Sequence, residues 1–154
     1  MRRADREIKE TRDIEEIISR SDVCRIAFAE NNTPYIVTMN FGYSGGEKQC
    51  LYFHCAPQGR KLEMMKKNDL VCFEMDTDHK LYGGEKGCDW GMNFSSVVGY
   101  GKLTIIDNTE EKIKGLDCIM SHYSDRKNFT YDEKVMSRTT VLKLDILEIS
   151  CKRK

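Results

Sequence analysis

The stretch from Leu51 to Lys67, LYFHCAPQGRKLEMMKK, gathers the residues of this chain best suited to chemistry. An apolar run ends at His54-Cys55-Ala56, a turn passes through Gly59, and Arg60 and Lys61 open a run of helical character. Small residues let backbone N–H groups approach an anion, and a helix start adds a positive partial charge. Arg60 can clamp phosphate oxygens with two parallel bonds, and Lys61 adds a point charge. Cations at the amino end of a helix oppose its dipole, so an anionic partner accounts for their placement. A plain surface turn is the alternative reading. Cys55, beside His54 and this basic turn, is a candidate for a stabilised thiolate.

The other reactive residue types form no recognisable constellation. The seven cysteines include no CxxC pair, so a zinc ribbon is not expected. Their odd number, with no apolar leader between Met1 and Asp13, argues against a disulfide framework and makes the cytoplasm the expected address. Cys24 and Cys72 read as small core hydrophobes. His54, His79 and His122 have no partner at metal-ligand spacing, and no metal site is expected. His122 falls at a helix end, where its charge is favourable. Glu15-Glu16 and Glu110-Glu111 read as solvated helix surfaces rather than catalytic carboxylates. No GxxxxGK[ST] loop is present, and Gly99-Tyr100-Gly101 lacks the third glycine of a dinucleotide fingerprint. No catalytic acid or base can be named.

The elements that must position the basic turn are legible in outline. A helix over 11–20 carries Ile14, Ile17 and Ile18 on one face, capped by Thr11 or Asp13. Strands follow over 23–29 and 34–43, joined by the turn 30–33, and a third over 49–55. Alternation on the second strand puts Tyr35, Val37, Met39 and Phe41 on one face and Ile36, Thr38 and Asn40 on the other. Such a strand could wall a flat aromatic cofactor, as could any barrel strand. A helix over 60–67 turns Leu62 and Met65 inward, and a fourth strand covers 70–75. The Gly-rich segment 77–91 reads as a long connection, a class that tends to be functional. A long strand over 94–106 carries Gly99 and Gly101, marks of bulges or close backbone approach. A helix over 109–123, capped by Thr109, lines up Ile113, Leu116, Met120 and Tyr123. The last strand spans 139–149. Tight turns imply antiparallel pairing, and so few helices cannot cover both faces of a parallel sheet. The expected fold is mainly β: a six-stranded, strongly curved antiparallel barrel with flanking helices.

Composition sets the outer limits. The chain has 154 residues with 40% hydrophobic and 32% charged, which fits one folded domain spanning 1–154. Lys+Arg and Asp+Glu are 25 each, and that balance argues against a nucleic-acid partner and favours self-association. No apolar run is long enough for a membrane helix.

Several segments, in this order, resemble one family: MRRADREI, CRIAFAENNTPYIVTMNFGY, LYFHCAPQGRKLEMMKKNDLVCFEM, SSVVGYGKLTII and VLKLDILEI. Together they are similar to the pyridoxamine 5'-phosphate oxidase-like superfamily, in the branch that includes the 5-nitroimidazole resistance (Nim-type) flavoproteins. The segment YFHCA..G.K is the most specific part. The resemblance implies a homodimeric FMN-binding split barrel with the cofactor at the subunit interface. It implies that Val37, Thr38, Met39 and Asn40 line the isoalloxazine edge, and that His54, Cys55 and Ala56 follow the ribityl and phosphate path. Gly59, Arg60 and Lys61 would hold the phosphate. Ser95, Ser96 and Val97 would close the site from the partner subunit. The implied activity is an NAD(P)H-linked oxidoreductase acting on small electron-poor acceptors such as nitroaromatics. A non-catalytic or stress-related flavin module, and a haem-binding barrel using one of the three histidines, are the alternatives. Nim-type proteins tied to drug reduction often carry His where this chain has Arg60, which removes an imidazole from that position. Pyridoxamine 5'-phosphate oxidase activity itself is not expected, because the carboxyl-terminal strand lacks a basic substrate-binding cluster.

Overall fold

The computed structural model describes residues 3–154, so Met1 and Arg2 of the MRRADREI segment lie outside the described residues. The strands are β1 (Glu7–Ile8), β2 (Cys24–Glu30), β3 (Thr33–Met39), β4 (Gly42–Ser44), β5 (Cys50–Cys55), β6 (Leu70–Tyr82), β7 (Gly91–Ile106) and β8 (Thr140–Arg153). The helices are α1 (Thr11–Arg20), α2 (Arg60–Lys67), α3 (Thr109–Tyr123) and the short α4 (Glu133–Met136). All pairings are antiparallel, in the order β3-β2-β6-β7-β8-β5-β4, with β1 added to β8.

The mainly β, helix-flanked fold is as expected, but the sheet has eight strands rather than six and does not close by hydrogen bonds. One extra strand is the two-residue β1. The other arises because the expected strand 34–43 breaks at Asn40-Phe41. There the Phe41 N–H is taken by the Tyr123 hydroxyl at 3.1 Å, and its ring is buried 4.3 Å from that of His122. The chain thus turns from one end of the sheet, β3, to the other, β4, and spans the split covalently. Gly42 makes this possible: a Cβ there would stand 2.5 Å from the backbone nitrogen of Ile119 in α3.

Curvature comes from β7. The β7–β8 register shifts between Tyr100 and Gly101, and Cβ atoms on Gly99 and Gly101 would meet the carbonyl oxygens of Glu148 and Asp145 at 2.5 and 2.6 Å. Inside the curve lie Ile26, Phe28, Leu51, Phe53, Phe73, Met75, Leu103, Leu142 and Leu144. The Ile14, Ile17 and Ile18 face of α1 packs onto this core, as do Leu62, Met64 and Met65 of α2. A second, smaller core joins α3 to the outer side of β5 through Cys50, Tyr52, Ile119 and Val141.

Several local expectations need correction. No side chain caps α1, whose N-cap is Glu10. The cap of α3 is Asn108, which accepts from the Glu111 N–H at 3.0 Å. The buried stripe of α3 is Gly115 and Ile119, whereas Ile113 and Tyr123 are exposed. Gly115 lies against Tyr52 and Val141, and this close approach rotates the helix from the stripe its larger side chains describe. Cys24 is fully buried, but Cys72 is half-buried and on the outer face. Glu15 is not merely solvated, since it accepts from the Tyr43 hydroxyl at 3.2 Å. The connection expected over 77–91 is strand for nearly half its length: β6 and β7 pair on to Tyr82 and Gly91, leaving residues 83–90 as the loop.

Candidate functional site

The basic turn lies where β5 hands the chain to α2. Gly59 takes φ 144° and ψ 162°, a conformation essentially reserved for glycine. Its carbonyl accepts from the Leu62 N–H at 3.0 Å, so the first turn of α2 folds back on Gly59. No side chain caps this end of the helix, and the first N–H groups of α2 lie beside two cations. A Cβ on Gly59 would meet nothing within 4 Å, so the turn opens to solvent. Gly59→Ala would therefore act through torsion alone. It is expected to lower stability by about 1–3 kcal/mol, checked by thermal unfolding.

Tertiary packing joins this turn to β3. The Arg60 guanidinium lies over the Tyr35 ring, 4.5 Å from its centroid, and Tyr35 leans on Phe28 of β2. β3 is the last strand of the sheet, so one side of its backbone is left unpaired. Thr38 and Asn40 are exposed, Val37 half-buried and Met39 buried, following the expected alternation. An anionic group at the Gly59–Lys61 turn and a planar group along the β3 edge would be neighbours. Tyr35, which makes this junction, was legible only as one residue of an apolar face.

β5 divides the remaining candidates. Cys55 points to the core side, where burial pushes its thiol up and the charge of Lys61 pulls it back only in part. A stabilised thiolate is therefore not set up. His54 points the other way, onto a cavity of about 320 Å³ walled by Leu116, Ile119, Met120, Val135 and Met136. Ala56 is exposed at the start of the turn. Further round the sheet, Ser95 and Val97 are fully buried, facing the core, and only Ser96 turns outward. Ser95 serves structure, its hydroxyl accepting from the Arg153 Nε at 3.3 Å. Three strand steps separate β3 from β7, roughly 14 Å at the usual spacing. Within one chain, the 59–61 turn therefore meets β3 at Tyr35, two residues before Val37, and 95–97 stands apart.

The outer face also carries a charge network that the residue pattern did not reveal. Thr38 pairs with Arg25, and Arg25 with Glu74, in one row across β3, β2 and β6. Arg25 donates to Glu74 at 2.9 Å and also to Asp76, and His79 Nε2 lies 2.9 Å from Asp76. Burial works to raise the Asp76 carboxyl, but the hydrogen bonds and charges of Arg25 and His79 outweigh it and hold it below its usual range. A carboxyl depressed on folding contributes stability above its unfolded value of about 3.9 and loses it as pH falls through the folded value. Urea midpoints measured from pH 6 down to pH 3 are expected to fall less steeply for Arg25→Met than for the wild type. For a half-exposed network the difference is about 1 kcal/mol or less.

His122 has a structural role. Its Nε2 is 2.8 Å from the Ser21 carbonyl oxygen, and its ring is wedged between Phe41 and Tyr123.

Comparison with known proteins agrees with this architecture. No curated protein matches the chain. Among solved structures, a candidate 5-nitroimidazole antibiotic resistance protein from Bacteroides thetaiotaomicron is 33% identical, with a TM-score of 0.83 over 96% of this chain and 86% of that one. The flavocytochrome Anf3 from Azotobacter vinelandii superposes with a TM-score of 0.80 at 18% identity, over 100% of this chain and 72% of the other. An FAD- and haem-binding protein from Mycobacterium smegmatis gives 0.82 at 12% identity, over 97% and 73%. These last two speak for the fold alone. The family model described as pyridoxamine 5'-phosphate oxidase matches residues 10–153, and the chain belongs to that family.

Proposed function

We propose that this protein binds FMN and works as a homodimeric, NAD(P)H-linked reductase of small electron-poor acceptors, nitroaromatics among them. The observation that carries this reading is the junction of the Gly59–Lys61 turn with the β3 edge through Arg60 and Tyr35. The residues fit the group. Backbone N–H groups and two cations suit a phosphate dianion, and an unpaired strand edge suits the polar rim of a flavin ring. FMN, when bound, supplies the redox chemistry. The chain's own groups bind and orient: Arg60 and Lys61 hold the phosphate, Gly59 gives it room, and residues 37–40 offer backbone donors where negative charge develops on the ring. No side chain is assigned as acid or base.

Dimerisation is supported by the outer face. Ile36, Ala27, Cys72 and Tyr100 form a continuous row across β3, β2, β6 and β7, with Ile36 and Tyr100 63% and 46% exposed. Such a band, on a chain of zero net charge, is suited to a second copy. Among the described residues no helix is long and apolar enough to cross a membrane.

The test is the absorption spectrum of freshly purified protein, followed by anaerobic mixing with NADH and with NADPH. A flavin spectrum bleached by at least one donor is expected. A flavin that stays oxidised with both would leave a binding module without turnover. A Soret band abolished by His54→Ala would instead favour haem, a second reading that the apolar cavity beside His54 keeps open.

A further inference from the structure

The stripe of large side chains that periodicity gives α3 is not the one the helix buries. Gly115 and Ile119 are buried, whereas Ile113, Leu116 and Met120 are turned toward residues 129–139. That segment covers them incompletely. Its one helix, α4, has four residues and buries none of them. Asp132 caps α4, accepting from the Lys134 and Val135 N–H groups at 2.8 and 3.1 Å. The Tyr131 hydroxyl ties the segment to α3 by donating to the Asp117 carboxylate at 2.7 Å, and the Thr139 hydroxyl donates to the Val135 carbonyl at 2.8 Å. These bonds fix the cover over α3, and the cavity of about 320 Å³ stays open beneath it.

The walls of this cavity have a definite chemistry. Leu116, Ile119 and Val135 are aliphatic, and Met120 and Met136 bring two thioethers. A thioether sulfur makes favourable contacts with the edge of an aromatic ring, and its unbranched side chain adapts to the outline of that ring. Among the polar wall residues, Tyr131, Asp132 and Thr139 use their side chains in the bonds just named, which leaves Thr130 and His54. β5 turns His54 away from the core, and among the described residues no group hydrogen-bonds its ring. A neutral imidazole carries one N–H donor and one acceptor nitrogen, and a hydroxyl group can engage either. The one carboxylate on the walls, that of Asp132, is held on the amino end of α4, so no free ionic partner awaits a charged ligand. A space of this size with apolar walls and few free polar groups is the usual form of a small-molecule site.

We infer that the cavity between α3 and α4 is a second ligand site, for a small phenol whose ring lies against Met120 and Met136 and whose hydroxyl bonds His54. The site is separate from the flavin reading above, since no residue of the Gly59–Lys61 turn or of β3 lines it.

The experiment titrates the protein with 4-ethylphenol and with ethylbenzene, which differ by the hydroxyl alone, and follows the methyl signals of labelled methionines by NMR. Shifts at Met120 and Met136 are expected with both, and affinity for the phenol is expected to be about tenfold the higher, the worth of one hydrogen bond. His54→Leu should bind ethylbenzene as the wild type does and lose the preference for the phenol. Leu116→Trp, which fills the cavity, should abolish the shifts with both ligands, and Met120→Phe serves if that variant folds poorly. Haemin added to the wild type should give no Soret band that depends on His54. Four results would each overturn the inference. They are no shift at Met120 and Met136 with 4-ethylphenol, shifts at Met39 on β3 in their place, a preference for the phenol that survives His54→Leu, and a Soret band abolished by His54→Leu, which would give the cavity to haem. Neither probe tests FMN binding, so the flavin reading stands or falls separately on the spectrum of the purified protein.

Discussion

The double variant Arg60→Ala/Lys61→Ala is expected to bind FMN at least about 100-fold more weakly than the wild type, with little change in melting temperature. Each hydrogen bond to a charged phosphate contributes about 1.5–3 kcal/mol, and two such groups together remove about 3–6 kcal/mol, where each 1.4 kcal/mol is tenfold. The two act on one phosphate, so the lower end is the safer figure. Stability should hardly move, because Arg60 is exposed and Lys61 half-buried. The fold loses only the Arg60–Tyr35 contact, worth about 0.5–1 kcal/mol at an exposed site. Riboflavin, which has no phosphate, supplies the control, since its affinity should be nearly the same for both proteins. Arg60→Lys should fall between, keeping the charge but losing the planar fork and the stack on Tyr35. Isothermal titration with FMN and with riboflavin makes the comparison. An unchanged FMN affinity in the double variant would refute the phosphate assignment.

Phe53→Ala is expected to have the largest effect on the fold and to take the site with it. Phe53 is fully buried on β5, between Leu51 and Cys55 on the core side, one residue before His54 and a few before the cradle. Replacing a buried Phe by Ala costs about 3–5 kcal/mol, in lost transfer energy and in the cavity left behind. In a chain of this size each kcal/mol shifts the melting temperature by about 2–4 °C, so a fall of about 6–20 °C is expected. Because domains are stable by only about 5–15 kcal/mol, the variant stands near the margin, and FMN binding should be measured well below its new midpoint. A melting temperature within a few degrees of the wild type would mean that β5 does not anchor this core. The contrast with the cradle variant is diagnostic. One loses the ligand and keeps the fold, whereas the other loses both together.

The amino-acid sequence alone determined the local features. The Ile14, Ile17 and Ile18 face of α1, the alternation of β3, the curvature at Gly99 and Gly101 and the cationic start of α2 all follow from periodicity and residue type within a few positions, and all appear in the structure. Family membership was legible as well, because the ordered segments carry it. The non-local consequences were not legible. Strand count depended on the Tyr123 hydroxyl taking the Phe41 N–H, a contact across 82 positions. The extension of β6 to Tyr82 and of β7 back to Gly91 escaped the residue pattern, because pairing of the two backbones maintains it without apolar alternation. The buried face of α3 was decided by Gly115 against Tyr52 and Val141. His54 and Cys55 were parted because successive residues of a strand face opposite sides, and only the layers packed on β5 tell which side is core and which is cavity. Periodicity reports which residues share a face of one element. Register and packing between elements distant in the chain decide what that face meets, and here they placed Arg60 on Tyr35.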